Sequence, residues 1–277
     1  IALLILLFLI GLLLLSLLTK KGSIVFMKYS LKRTVEKSLD GADGKFAVYI
    51  KNLKTGESYW QLENEVFEAG SLYKLWVMGK VLQQIKAGDL KRDDSVEVDT
   101  AEINNQYGIE PEEAELTEGN LQFSVLSALE QMITISHNYA ALGLVAKTSQ
   151  DEIQAFMDTL GLKNSRMKFP SQTSAADIGN YFEKLYNGEV IDSDYSKQML
   201  EILSRQQIND RIPKLLPEGT RVAHKTADLG SFEHDAGIVY TEKGDFILVV
   251  LTDTEFPDAA DERIANLSLA VFSYFTK

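Results

Sequence analysis

The sequence predicts an α/β (α+β) fold, in which strands from both ends of the chain form one antiparallel sheet with flanking terminal helices and an inserted helical lobe. Strand-like segments near the two ends and helical periodicity through most of the middle lead to this prediction. Of the 277 residues, 45% are hydrophobic, which allows a substantial core. We expect one domain over 30–277, with a sheet lobe at about 30–69 and 216–277 and a helical lobe at about 70–215.

The first eighteen residues, IALLILLFLIGLLLLSLL, carry no charge. As a helix they would be roughly 27 Å long, close to the thickness of the hydrocarbon layer of a bilayer. A buried core helix is disfavoured because the stretch has no polar face. We therefore predict an uncleaved transmembrane anchor over 1–20 and a linker over 21–29. A cleaved signal peptide is the alternative, although no small-x-small site precedes Lys20 and Lys21.

The charges around this segment leave its orientation open. Basic residues follow it at positions 20, 21, 28, 32 and 33, and the positive-inside rule would keep that side in the cytoplasm. The sequence starts at Ile1 rather than Met, so the rule lacks the charges on the other side. The orientation therefore has to come from function.

The sheet lobe begins after the linker. Residues 29–39 are predicted to form a helix, which the DGADG cluster at 40–44 ends. KFAVYIKNL then alternates apolar residues with others, KTG at 54–56 is typical of a hairpin turn, and ESYWQL returns as a second strand. These segments predict an N-terminal β-hairpin.

The stretch EAGSLYKLWVMGKVLQQIKAG, residues 68–88, is predicted to contain a helix that starts near Ser71. Serine is a favoured N-cap, apolar residues recur after it at helical spacing, and Gly88 is typical of a helix end. Lys74 follows Ser71 by one turn, so its amine can lie over the Ser71 hydroxyl on the same face. An ordinary helix start and a catalytic serine–lysine pair both fit this segment.

The helical lobe continues through the middle of the chain. Residues 91–120 are polar and are expected to form a loop with short pieces of structure. LQFSVLSALEQMITISHNYAALGLVAK, residues 121–147, is apolar on nearly all sides and predicts one central buried helix or two helices that meet near Ser136. Further helices are expected at 151–160, 174–186 and 195–206.

The end of the chain returns to strands. RVAHKTA, HDAGIVYT and DFILVVLTD are predicted strands, and the last is apolar enough for the centre of a sheet. Lys243 and Gly244 mark the hairpin between the last two. AADERIANLSLAVFSYF is expected to close the chain as a helix.

Composition excludes several kinds of function. The net charge is −12, without the clustered Lys and Arg that nucleic acid requires. The absence of Cys removes thiol catalysis, disulfides and thiolate zinc sites. His137, His224 and His234 are scattered, so we expect no metal and no other cofactor. We expect a monomer.

Three short motifs lie in order along the chain, namely SLYK at 71–74, SHN at 136–138 and HKTA at 224–227. A second serine–lysine pair, SRMK at 165–168, has the same spacing as the first. It lies in a polar connection without a flanking apolar run, so we interpret it as chance.

The set S-x-x-K, S-D-N and K-T-G is found in class A β-lactamases and penicillin-binding proteins. From about Lys28 to the end, the chain resembles this family of penicillin-recognising serine hydrolases. LKTGESYWQLENEVFEAGSLYKLWV and HDAGIVYTEKGDFILVVLTD are similar to the family as well. Two departures are visible, since His137 stands where the family usually has Asp and Ala227 where it usually has Gly. The resemblance implies a β-lactamase/transpeptidase-like fold.

The resemblance implies a catalytic group of Ser71, Lys74, Ser136 and Lys225. A serine hydroxyl needs a neighbouring base, and Lys74 can be that base only when neutral. Burial and the second cation, Lys225, would favour the neutral form. Ser136 would relay a proton to the leaving nitrogen.

The resemblance also implies substrate-binding residues. Asn138 would orient the substrate amide and Lys74, while Lys225 and Thr226 would bind the substrate carboxylate. The oxyanion hole would use the backbone N–H groups of Ser71 and Asp228. Tyr107 is expected to line the cleft.

One part of the family pattern is missing. Class A enzymes hydrolyse their acyl-enzyme with a loop glutamate that acts through a water. The corresponding connection here, GLKNSRMKFPS at 161–171, contains no Asp or Glu. We therefore expect a β-lactamase-like hydrolase acylated at Ser71 that releases its product slowly.

A penicillin-binding or D-Ala-D-Ala peptidase-like enzyme acting on cell-wall peptides and a non-catalytic binding domain are the alternatives. β-Lactams and cell-wall peptides lie outside the cytoplasmic membrane. The domain is therefore expected on the outer side of its anchor.

Overall fold

The computed structural model describes residues 30–277. The predicted anchor at 1–20 and linker at 21–29 lie outside the described residues. Between residues 30 and 277, no helix is both long and apolar enough to cross a membrane.

A five-stranded antiparallel sheet is assembled from both ends of the chain, as the sequence predicts. Its strands are β1 (Lys45–Asn52), β2 (Ser58–Gln61), β7 (Val222–Leu229), β8 (Phe232–Val239) and β9 (Phe246–Asp253). They pair in the order β2-β1-β9-β8-β7. The N-terminal hairpin joins the C-terminal strands through β1 and β9, with Val48 opposite Val250. β7 is last in this order, so one of its edges has no strand partner in the described part of the chain.

Both faces of this sheet are buried at its centre, which explains why β9 is apolar from Phe246 to Leu251. Leu248 and Val250 pack in a cluster with the terminal helices α1 (residues 30–38) and α9 (Pro257–Phe275). The alternate residues of β9 pack in a second cluster, which belongs to the helical lobe. Successive strand residues point to opposite faces, so a strand covered on both sides by apolar clusters is apolar at successive positions.

Along the chain, the helical lobe lies between the N-terminal and C-terminal strands of the sheet. Of the two alternatives for residues 121–147, two helices are observed, and they meet around Ser136. The first residues of that segment pair as a strand instead. The helices are α2 (Lys74–Ala87), α3 (Thr100–Tyr107), α4 (Val125–Thr134), α5 (Asn138–Thr148), α6 (Gln150–Thr159), α7 (Ala175–Asn187) and α8 (Ser193–Leu203). Two short ladders join β3 (Phe67–Glu68) to β6 (Gln172–Thr173) and β4 (Ser95–Asp99) to β5 (Asn120–Ser124).

The prediction that Ser71 caps a helix was wrong. Ser71 lies in a 3₁₀ turn, Gly70–Tyr73, and α2 begins only at Lys74. The residue before α2 is Tyr73, which makes no side-chain capping hydrogen bond. The Ser71 hydroxyl instead accepts a hydrogen bond from Ser136. The predicted end of this helix is correct, since Gly88 has a φ of 85°.

Candidate active site

The 3₁₀ turn places Ser71 directly against β7. Gly70 has a φ of 46°, and a Cβ built there would lie 3.0 Å from the Cβ of Ala227. Only glycine combines this backbone angle with so close an approach. The first and third motifs are therefore in contact.

Ser136 lies at the centre of the site. Its hydroxyl donates to Ser71 Oγ at 3.1 Å and accepts from Lys74 Nζ at 3.0 Å and from Lys225 Nζ at 3.0 Å. Its backbone is in the left-handed region, with a φ of 58°. A serine there is strained, and the surrounding contacts must hold it. The short turn between α4 and α5 thus brings one hydroxyl to three catalytic candidates.

Lys74 is fully buried at the start of α2. Its ammonium donates to Ser136 O at 2.7 Å, to Ser136 Oγ and to Asn138 Oδ1 at 2.7 Å. These three acceptors use its three protons, so Ser136 bridges Lys74 to Ser71. Burial, followed by the charge of Lys225, holds the pKa of Lys74 well below its usual value, while Glu115 opposes that shift. A buried lysine of this kind can become the neutral base that a serine nucleophile needs.

Lys225 is equally buried on β7. It donates to Ser136 Oγ and to Thr226 O at 2.8 Å. Burial lowers the pKa of Lys225 to about 7, with the carboxylates of Asp235 and Asp228 opposing this effect. The charge of this side chain therefore changes near neutral pH.

The remaining predicted residues take different positions. Asn138 belongs to the cluster through Lys74. Thr226 is buried next to Lys225 on β7. Asp228 follows on the same strand and pairs with Arg211.

Tyr107 is connected to the cluster only indirectly. Its ring packs edge-on against Phe169, with centroids 5.3 Å apart, and Phe169 packs in the same way against Tyr73. The Tyr73 ring centroid lies 5.9 Å from Lys74 Nζ. Tyr107 therefore belongs to a group of aromatic rings that reaches Lys74 through Tyr73.

The four residues Ser71, Lys74, Ser136 and Lys225 thus converge on one hydrogen-bonded cluster. A sequence profile described as the β-lactamase enzyme family matches residues 30–275. The chain belongs to the β-lactamase enzyme family. The resemblance drawn from the three motifs is confirmed.

Solved structures show the same fold at low sequence identity. A PBP-A variant, in an acyl-enzyme complex with penicillin G, is 24% identical, with 89% of this chain and 96% of that chain covered and a TM-score of 0.78. A β-lactamase from Sphaerobacter thermophilus is 21% identical, with coverage of 89% and 96% and a TM-score of 0.78. The TLA-1 extended-spectrum β-lactamase is 22% identical, with coverage of 90% and 99% and a TM-score of 0.77. A comparison with curated protein sequences finds no match.

This β-lactamase-family chain also contains an ionic cluster that sequence reasoning missed. Arg211 is 1% exposed, contacts the carboxyl groups of Asp228, Glu233 and Asp261, and donates to His234 O at 3.2 Å. Burial, followed by the hydrogen bond to Asp228, raises the pKa of Glu233 to about 8. Because these residues come from a loop, two strands and α9, no local spacing could reveal them. The cluster fixes the end of β7 beside the site.

The three histidines have ordinary hydrogen-bond partners. His137 accepts from Ala140 N–H at 3.4 Å and caps α5, in the position where the family usually has Asp. His224 bonds Asp235 Oδ1 at 2.9 Å, and His234 donates to Glu68 O at 2.8 Å. Across residues 30–277, no group of three or more His, Cys, Asp or Glu side chains could hold a metal ion.

The second serine–lysine spacing has a structural explanation. Ser165 is buried and donates to Asp177 Oδ2 at 2.8 Å, far along the chain from the catalytic motifs. Lys168 is exposed. Ser165 therefore takes part in the packing of the 161–171 connection against α7, whereas Lys168 lies at the surface.

Glu115 is a further residue at the site that the sequence did not single out. Its Oε1 accepts from Asn138 Nδ2 at 2.7 Å. The surrounding loop is rich in Glu, and nothing in the local pattern distinguishes this one.

Proposed function

We propose that this β-lactamase-family hydrolase is acylated at Ser71 by β-lactams and opens their ring by hydrolysis. The observation that supports this most strongly is the position of Ser136 Oγ, within hydrogen-bond distance of Ser71, Lys74 and Lys225. A nucleophile linked by one hydroxyl to two lysines of lowered pKa has a path for its proton.

The proton path uses the same contacts with the hydrogen bonds reversed, because Lys74 must first lose a proton and can then accept one from Ser136. Neutral Lys74 takes the proton of Ser136, which takes that of Ser71 as Oγ attacks the carbonyl carbon. The ring C–N bond then breaks, and the nitrogen receives a proton back through Ser136. Protonated Lys225 and the Thr226 hydroxyl would hold the substrate carboxylate, and the backbone N–H groups of Ser71 and Asp228 would hold the oxyanion.

Slow deacylation accompanies this proposal. The 161–171 connection contains no Asp or Glu, so water has no base on that side of the site. The missing acid also fits a second candidate, a penicillin-binding or D-Ala-D-Ala peptidase-like enzyme. Such an enzyme, like a slow β-lactamase, would form a long-lived acyl-enzyme with penicillin. The similarity to a PBP-A variant solved as an acyl-enzyme complex with penicillin G supports keeping this second candidate beside the β-lactamase.

Intact-mass spectrometry after incubation with penicillin G tests the proposal. We expect an adduct of the mass of the intact drug on the wild-type protein and none on Ser71→Ala. Ser165→Ala is the matched control and should form the adduct like the wild type. A protein with neither adduct nor hydrolysis would instead be a binding domain.

We also propose that residues 1–20 anchor the chain, that 30–277 lies on the outer side of the membrane, and that the domain acts as a monomer. β-Lactams and cell-wall peptides both lie outside the cytoplasmic membrane, which supports the outer side for residues 30–277. A topology reporter fused after Lys277 tests the orientation, and a cytoplasmic signal would contradict it.

A further inference from the structure

Glu115 is built into the catalytic cluster through Asn138. The Asn138 side-chain amide donates through Nδ2 to Glu115 Oε1 at 2.7 Å and accepts through Oδ1 from Lys74 Nζ at 2.7 Å. One amide group therefore separates this carboxylate from the buried lysine. The charge of Glu115 acts on its surroundings, since it opposes the lowering of the pKa of both Lys74 and His137.

The loop that carries Glu115 is fixed by buried groups at the next residue. The Tyr139 hydroxyl donates to Leu116 O at 2.6 Å and accepts from Leu116 N–H at 3.2 Å. Asn104 Nδ2 donates to the same carbonyl at 2.8 Å. Tyr139 and Asn104 are 2% and 7% exposed. Because Tyr139 directly follows Asn138 on α5, the element that presents Asn138 also anchors Glu115.

We propose that Glu115 is the carboxylate that activates water for deacylation of Ser71. This inference rests on the proposed acylation. A basic role for Glu115 explains how the acyl-enzyme can be hydrolysed although the 161–171 connection contains no Asp or Glu. Asn138 Nδ2 has a second proton, so it can bind the substrate amide while it holds Glu115.

The step balances without a further reactant. Glu115 takes a proton from water as the water oxygen forms a bond to the acyl carbon. The bond between that carbon and Ser71 Oγ then breaks, and Oγ takes a proton from Ser136, which is resupplied by the Lys225 ammonium that donates to it. The acyl group leaves as a carboxylic acid that carries the remaining hydrogen of the water. Glu115, which is exposed, releases its proton to solvent, and Lys225 regains one from solvent, so the proton count closes.

Glu115→Gln separates the basic role from a positioning role. A glutamine oxygen still accepts from Asn138 Nδ2, but it cannot take a proton from water. Full-length protein is acylated with penicillin G, excess drug is removed, and loss of the adduct is followed by intact mass. We expect the acylation rate to stay within about threefold and the adduct lifetime to rise roughly 10²-fold, as loss of a general base predicts. Glu113→Gln, an exposed acid on the same loop, should behave like the wild type.

An unchanged adduct lifetime in Glu115→Gln would overturn this inference while leaving the acylation proposal intact. Slower acylation together with an unchanged lifetime would also overturn it and would assign Glu115 to positioning Asn138 and Lys74. A wild-type protein that forms no adduct and does not hydrolyse the drug would overturn the proposed function itself.

Discussion

Removal of the Ser136 hydroxyl is the sharpest test of the site. In Ser136→Ala, Ser71 loses its contact to both lysines at once, because Ser136 Oγ is the group that joins them. Lys74 keeps Ser136 O and Asn138 Oδ1 as acceptors, and Lys225 keeps Thr226 O. The buried charges are therefore not left without partners, and the variant should fold.

The expected loss of activity follows from the chemistry of the relay. A positioned acid–base group contributes about 10²–10⁴-fold, which corresponds to about 3–5 kcal/mol in the barrier to acylation. The expected loss of stability is smaller, about 1–3 kcal/mol, because the removed hydrogen bonds involve charged donors that retain other acceptors.

Ser136→Gly provides the matched comparison. It removes the same hydroxyl and also relieves the left-handed backbone angle of 58°. Stopped-flow acylation with a chromogenic β-lactam should show the same deficit in both variants, while thermal unfolding should place the glycine variant at or above the alanine variant. Acylation of Ser136→Ala within tenfold of the wild type would refute the relay. Recovery of acylation in Ser136→Gly would show that backbone strain, rather than the hydroxyl, matters.

Two further predictions concern the third motif and the turn beside it. The rate of acylation by an anionic β-lactam should decline as the pH rises through about 7, because Lys225 then loses the proton that attracts the substrate carboxylate. An esterified penicillin has no such carboxylate, so its pH–rate profile should lack this decline. A decline shared by both substrates would contradict the role of Lys225 in binding the carboxylate. Gly70→Ala should lower both the melting temperature and the acylation rate, because the new Cβ would press on Ala227 at 3.0 Å in addition to the cost of a positive φ. Gly56→Ala pays the backbone cost alone, since no atom lies within 4 Å, and equal effects on acylation would count against this explanation.

Most of the fold could be predicted because it depends on local patterns. The strand-like composition of β1, the apolar run of β9 and the turn residues at 54–56 are features of neighbouring residues, so each predicts its own element without reference to distant parts of the chain. The N-cap prediction at Ser71 failed for the opposite reason. A serine hydroxyl can bond its own backbone or a distant partner, and here the partner is Ser136, 65 residues away.

The sequence by itself determined the motif residues Ser71, Lys74, Ser136 and Lys225, their order and the missing acid at 161–171, because these are matters of identity and spacing. Only the tertiary structure decided that Ser136 bridges Ser71 to Lys74. It alone brought Glu115 to Asn138 and surrounded Arg211 with carboxylates from three elements. Hydrogen bonds and pKa shifts depend on distances of a few ångströms between remote segments, and packing sets those distances. The residues proposed for acylation could therefore be named from sequence, whereas the carboxylate proposed for deacylation was found only through its contacts.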